Sequence, residues 1–140
     1  MFPFDNRVAR LSMTGDELRR VVEGNLTRSG GRLLMAGVRA TATCVGPALN
    51  VRLQRANGTA VKPTEQLKVV TVDFLATGGD GFFDPIAPLK VLGSATDGPI
   101  LRDVQALSLM NDGGTLRPPL PTSGGLVFPG SRPVSCESTP

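Results

Sequence analysis

Residues 67–82 read Leu-Lys-Val-Val-Thr-Val-Asp-Phe-Leu-Ala-Thr-Gly-Gly-Asp-Gly-Phe. A β-branched, hydrophobic run leads straight into a Gly-Gly-Asp-Gly turn. Side chains of this kind fit a pleated, buried surface, so Leu67 to Leu75 reads as an interior strand. Glycines lack the Cβ that would clash where a backbone turns sharply or approaches a ligand closely. Loops at strand ends commonly carry function. Phe74 offers an aromatic face and Asp80 a carboxylate nearby, a combination suited to the flat base and the hydroxyls of a nucleoside.

Toward the N-terminus, Arg7 to Met13 suggests a short edge strand, with Val8, Leu11 and Met13 as its apolar residues. Thr14-Gly15-Asp16-Glu17 has the form of a capping box, in which the Thr14 hydroxyl and the Glu17 carboxylate satisfy each other's backbone donors. Leu18, Val21, Val22 and Leu26 then form one apolar stripe of a helix running to about Asn25. Arg19, Arg20 and Glu23 fall on its solvated side. Ser29-Gly30-Gly31 is expected to end the helix. Leu33 to Cys44 and Asn50 to Arg55 alternate apolar and polar residues, as strands with one buried face do. Asn57-Gly58 marks a turn. Pro99 opens a second helix whose apolar positions are Ile100, Leu101, Val104, Leu107 and Leu109, stopped by Asp112-Gly113. The order predicts an α+β fold, a small mixed and mostly antiparallel sheet packed with helices. From Gly113 onward the chain is rich in Gly, Pro, Ser and Thr, and half of the 12 prolines lie there. Such a segment buries too little apolar surface to offset its backbone entropy, about 1–2 kcal/mol per residue. The expected division is therefore a folded unit over residues 1–112 and a disordered, flexible tail over 113–140.

Composition narrows the chemistry. The 140 residues are 40% hydrophobic and 19% charged, with a net charge of +3. That charge is too small to indicate a nucleic-acid polymer as partner. No apolar run reaches the 18 residues a bilayer span needs. The opening Met1-Phe2-Pro3-Phe4-Asp5-Asn6 has neither the basic start nor the apolar stretch of a signal peptide. The sequence contains no histidine, so an imidazole base or ligand is not available from this chain. Cys44 and Cys136 allow a single pairing and have no metal-ligand spacing. Cys44 reads as a buried small hydrophobe and Cys136 as part of the tail, so a disulfide is possible without being favoured, and the compartment stays open.

The motif FLATGGDGF at residues 74–82 resembles the signature of the C-terminal domain of the 5′-nucleotidase and UDP-sugar hydrolase family. PFDNRVARLSMTGDELRRVVE, SGGRLLMAGVRATAT, LKVVTVDFL and PILRDVQAL resemble further stretches of that domain, in order over roughly residues 2–110. The resemblance implies that Phe4 and Phe74 sandwich the nucleobase. It also implies that Asp80 accepts from the ribose hydroxyls, on a turn shaped by Gly78, Gly79 and Gly81. Stacking of a base on an aromatic ring is worth about 1–3 kcal/mol, and a ribose–carboxylate bond is charge-assisted. In the family, hydrolysis belongs to a separate N-terminal metallophosphoesterase domain that holds two divalent metal ions through Asp, His and Asn. The resemblance thus makes that domain, in cis upstream or in trans, the expected partner. This chain by itself is expected to be inactive and to hold no metal. It lacks the family's earlier Asn and Arg contacts and is expected to be N-terminally truncated. The family is typically periplasmic or extracellular.

Other motifs carry less. No Gly-Lys-Ser/Thr follows the glycine turn, so a P-loop is excluded. Asp73, Asp80 and Asp84 do not match the EF-hand spacing. Serine, threonine and cysteine nucleophiles lack a base. Pro118-Pro119-Leu120-Pro121 reads as a linker, with a polyproline ligand for a partner as the alternative. The expected function is recognition of a nucleotide or nucleoside for phosphate ester hydrolysis in nucleotide catabolism. A free-standing nucleoside-binding or interaction module, or a gene fragment, is the alternative. Read as scaffold alone, Phe74 is a core residue, Phe4 a terminal packing residue and Asp80 a turn former.

Overall fold

The computed structural model describes residues 5–29, 33–114 and 125–136. Along the chain run β1 (Val8–Thr14), α1 (Gly15–Leu26), β2 (Val38–Val45), β3 (Ala48–Arg55), β4 (Gln66–Val72), α2 (Asp73–Ala76), β5 (Lys90–Val91), α3 (Leu101–Asn111) and β6 (Leu126–Val127). The fold is mixed α and β, with two mostly antiparallel three-stranded sheets and three helices. The chain divides into two compact units, one of Met1–Met13 with Leu67–Leu120 and one of Thr14–Gln66 with Pro121–Pro140.

In the first unit the sheet order is β4-β1-β5, with Leu11 opposite Val91 and Ser12 opposite Lys90. Ala9, Leu11 and Met13 alternate on the buried face of β1. β1 is therefore the middle strand rather than the edge strand expected. β4 is an outer strand rather than an interior one. Of its residues only Leu67 is fully buried, while Lys68 and Val70 are exposed. A β-branched run signals extended backbone, but how many faces it buries depends on what lies against it. The strand also stops at Val72, where Asp73–Ala76 turns into one helical turn. α3 forms where Pro99 and the apolar spacing place it, yet it buries none of its residues, and Leu107 and Met110 are 60% and 73% exposed. The spacing predicts a core face for its apolar stripe, but none of Leu101, Val104, Leu107 and Leu109 is buried.

The second unit is built on α1 and a long hairpin. The capping box is present: the Glu17 amide donates to Thr14 Oγ1 at 3.2 Å, and the Thr14 amide donates to Glu17 Oε2 at 2.6 Å. Further first-turn donors reach the loop before β4, Gly15 N–H to the Glu65 carbonyl and Asp16 N–H to the Pro63 carbonyl, each at 2.9 Å. Leu18, Val21, Val22 and Leu26 are buried as the stripe predicts, each worth about 1.5–3 kcal/mol when fully withdrawn from water. The helix ends at Thr27, whose amide and hydroxyl both donate to the Glu23 carbonyl. Gly30 and Gly31 lie outside the described residues. β2 and β3 pair residue for residue from Val38↔Arg55 to Val45↔Ala48. Ala40, Ala42, Val51 and Leu53 bury one face, and Arg39, Thr41, Arg52 and Gln54 are exposed on the other. Beyond β3, Asn57 Oδ1 accepts from the Thr59 amide at 3.0 Å, forming the turn that Asn57-Gly58 predicts.

The expectation of an unstructured tail does not extend to residues 125–136. β6 runs parallel to β2, with Ala40 opposite Leu126 and Thr41 opposite Val127. Leu126 and Val134 are buried, and the Val134 amide donates to the Leu26 carbonyl at 2.8 Å. Arg132 donates from Nε to the Asn25 carbonyl at 3.0 Å and reaches the Arg28 carbonyl at 3.3 Å. The last turn of α1 has no basic residue of its own, so this guanidinium supplies the cation a helix C-terminus favours. Cys136 forms a disulfide with Cys44 across 92 residues, the single pairing that the sequence allowed without favouring it. Local apolar content is a poor guide here because a few long-range bonds hold the segment.

Candidate functional site

β4 delivers the chain to the candidate site, and α2 begins at once. Its N-cap, Val72, has no side chain able to accept a hydrogen bond. Asp73, the first helical residue, takes over. Its Oδ1 accepts from the Phe74 amide at 2.8 Å and from the Arg7 amide at 3.0 Å. The Asp73 amide donates back to the Arg7 carbonyl at 2.9 Å. The turn closes when Thr77 donates to the Asp73 carbonyl from both its amide and its hydroxyl, each at 2.9 Å.

Phe74 stands on this turn, 50% exposed. With half of its surface in water, Phe74 is not a core residue. Gly79 lies close against it. A Cβ at Gly79 would lie 2.5 Å from both Phe74 Cε1 and the Phe74 carbonyl oxygen, so only glycine permits this approach. Gly78 carries the chain into the turn at φ 103°, and Gly79–Gly81 follow as a 3-10 turn. Within it Asp80 adopts φ 57° and is the one non-glycine residue with positive φ among those described. Left-handed backbone at a non-glycine residue stores strain of about 1–3 kcal/mol and tends to mark functional positions. The Asp80 side chain is exposed and makes no hydrogen bond or ion pair among the described residues. Gly81 completes the turn beside the Asp84 carboxylate.

The far side of the turn is anchored. Phe83 and Ile86 are buried, and Phe82 meets Phe83 edge to face with centroids 5.0 Å apart. The exposed half of the turn, Phe74 and Asp80, is thereby held by a buried half. Of the residues expected from sequence, the structure gathers Phe74, Gly78, Gly79, Asp80 and Gly81 on one continuous turn. Phe4 lies outside the described residues. Asp73, Asp80 and Asp84 do not converge, and among the described residues no group of three or more His, Cys, Asp or Glu is placed to hold a metal ion. Sequence reasoning missed the part played by Asp73. Its only local signal was an acid directly before the aromatic residue at a strand end, and its partner lies 66 residues away.

Comparison with known proteins adds the following. The family described as 5′-nucleotidase, C-terminal domain, matches residues 1–86. Among solved structures, the 5′-nucleotidase precursor from Thermus thermophilus is similar with a TM-score of 0.64 and 20% sequence identity. That match covers 91% of this chain and 26% of the other, so this chain spans about a quarter of its length. At such identity the likeness concerns the fold. No curated protein matches the sequence. Among the described residues no helix is long and apolar enough to cross a membrane.

Proposed function

Since the chain belongs to the 5′-nucleotidase C-terminal domain family, we propose that it is the nucleotide-recognising part of a phosphate ester hydrolase. Phe74 packs its exposed ring against the base, with Phe4 as the second face of the sandwich. Asp80 accepts from the ribose hydroxyls, and Gly78, Gly79 and Gly81 give the turn the shape that lets both act. The observation that carries this reading is a single one. A half-exposed aromatic ring, and a carboxylate of positive φ with no hydrogen-bond or ion-pair partner among the described residues, share one turn that is followed by the buried Phe83 and Ile86.

Stacking supplies sequence-tolerant affinity, and the carboxylate supplies a charge-assisted bond that selects a vicinal diol. Neither group breaks a bond. The described residues offer no ligand set that fits the family's two metal ions, so no hydrolytic step is derived through them. On this reading the metallophosphoesterase domain, in cis or in trans, carries out hydrolysis, and the present chain contributes by holding the nucleotide where its phosphate can react. The role falls within nucleotide catabolism.

Titration of the full chain with adenosine, followed by amide chemical shifts, tests the proposal. Saturable shifts centred on residues 73–82 are expected. Phe74→Ala should weaken binding by roughly tenfold or more, given about 1–3 kcal/mol for a stacked base. Asp80→Asn should weaken adenosine while leaving 2′,3′-dideoxyadenosine unchanged. Unaltered binding by both variants would remove these residues from the site.

A further inference from the structure

Phe74 projects from a four-residue helical turn, far too short to be stable alone. Something must hold that turn in place. α2 has no side-chain N-cap, and Asp73 ties it by hydrogen bonds to Arg7, the residue before β1. Asp73 Oδ1 accepts simultaneously from the amide of Phe74 and from the amide of Arg7, while its own amide donates to the Arg7 carbonyl. Arg7 is braced on its other side. Its Nη1 donates to the Gly98 carbonyl at 2.9 Å, and the next amide, that of Val8, donates to the Pro99 carbonyl at 2.9 Å. Gly98 is pressed so closely on the Val8 carbonyl that no Cβ would fit there. The entry of β1 is thus clasped between residues 98–99 and Asp73.

We infer that Asp73 is a positioning residue, whose carboxylate oxygen fixes the Phe74 turn to the entry of β1 and so sets the orientation of the stacking ring. The inference rests on the nucleotide-recognising reading of Phe74, but its geometry does not. An acceptor placed between two amides locks two backbone segments at one atom, and binding groups act well only when the residues behind them fix their geometry. The role requires an acceptor at that point and does not require the negative charge.

Asp73→Ala and Asp73→Asn in the full chain separate these requirements. The asparagine amide oxygen can accept both bonds, whereas alanine removes them. For Asp73→Ala, hydrogen exchange at the Phe74 and Arg7 amides should speed up at least about tenfold, and adenosine binding should weaken about tenfold. Asp73→Asn should restore both to near the parent values. Parent-like exchange at Phe74 in Asp73→Ala would overturn the inference. So would an Asp73→Asn variant as impaired as the alanine, since charge and not acceptor geometry would then be at work. If Asp73→Ala does not fold, Asp73→Glu keeps the charge and moves the acceptor one methylene outward. Lost protection at Phe74 then supports the role, and full retention overturns it. A parent chain that shows no response to adenosine refutes the nucleotide reading alone, because exchange at Phe74 still decides what Asp73 does.

Discussion

At the scale of single residues the candidate site depends on one absent atom. Phe74 and Gly79 approach so closely that a Cβ at Gly79 would overlap both the ring and the carbonyl of Phe74. Gly79→Ala therefore tests the site from its scaffold rather than from its ligand-facing groups. The added methyl would overlap the ring and the carbonyl of Phe74, a form of overpacking that costs about 1–3 kcal/mol. We expect a lower thermal midpoint and, because the ring must move, a loss of adenosine binding comparable to that of Phe74→Ala. A variant with parent-like binding would show that the contact does not set the ring position. Asp80 contributes differently, since its conformation is costly and its carboxylate is unpartnered among the described residues.

At the scale of elements, α1 shows how much of a helix is decided at its ends. Its start is capped by Thr14 and Glu17, and by the loop that brings in the Pro63 and Glu65 carbonyls. Glu65 is also the acceptor for the Arg55 guanidinium and for the Lys62 amide. The Arg55 hydrogen bond, followed by that of Lys62, holds the Glu65 carboxyl below its ordinary value of 4.5. A carboxylate whose folded pKa is depressed stabilises the fold above its unfolded pKa, and that contribution is lost as pH falls through the folded value. Urea unfolding at a series of pH values from neutral down through the carboxylate range should show this loss. Glu65→Gln should flatten the profile in that window, and an unchanged slope would mean that the pair contributes nothing. The effect will be small, because the pair is largely solvated. The strands carry Arg10, Arg39, Arg52, Arg55, Lys68 and Lys90 and no carboxylate. Charges of one sign, Lys68 on the outer strand β4 among them, discourage pairing with another copy along an exposed edge.

At the scale of the whole molecule, the largest departure from expectation is the engagement of residues 125–136. The Cys44–Cys136 bond joins positions 92 residues apart. Closing a loop of that length restricts the unfolded chain by about 4–5 kcal/mol in the chain-entropy treatment. Cys136→Ser, or reduction of the parent, should lower the urea midpoint markedly. Amides at residues 126 and 134 should exchange sooner than those of α1, because the strand pairing, the Val134 amide and Arg132 must then hold the segment without the bond. Equal midpoints for the oxidised and reduced chains would assign the holding to those noncovalent contacts. A disulfide that persists also favours an oxidising compartment for the folded chain.

Local sequence settled whatever neighbours along the chain could enforce. The capping box and apolar stripe made α1, the alternation of Val38–Thr43 and Asn50–Arg55 made the hairpin, and the glycines of Gly-Gly-Asp-Gly made the turn beside Phe74. Each depends on contacts within a few residues, where periodicity and turn chemistry act directly. Long-range packing, by contrast, made β1 the middle strand and β4 an outer one, left the apolar residues of α3 exposed, and brought Asp73 to Arg7. It also let Arg132 and Cys136 tie a proline-rich segment to α1 and β2. Those outcomes join residues tens of positions apart. Their formation balances loop-closure entropy against packing and hydrogen bonding that no local pattern records.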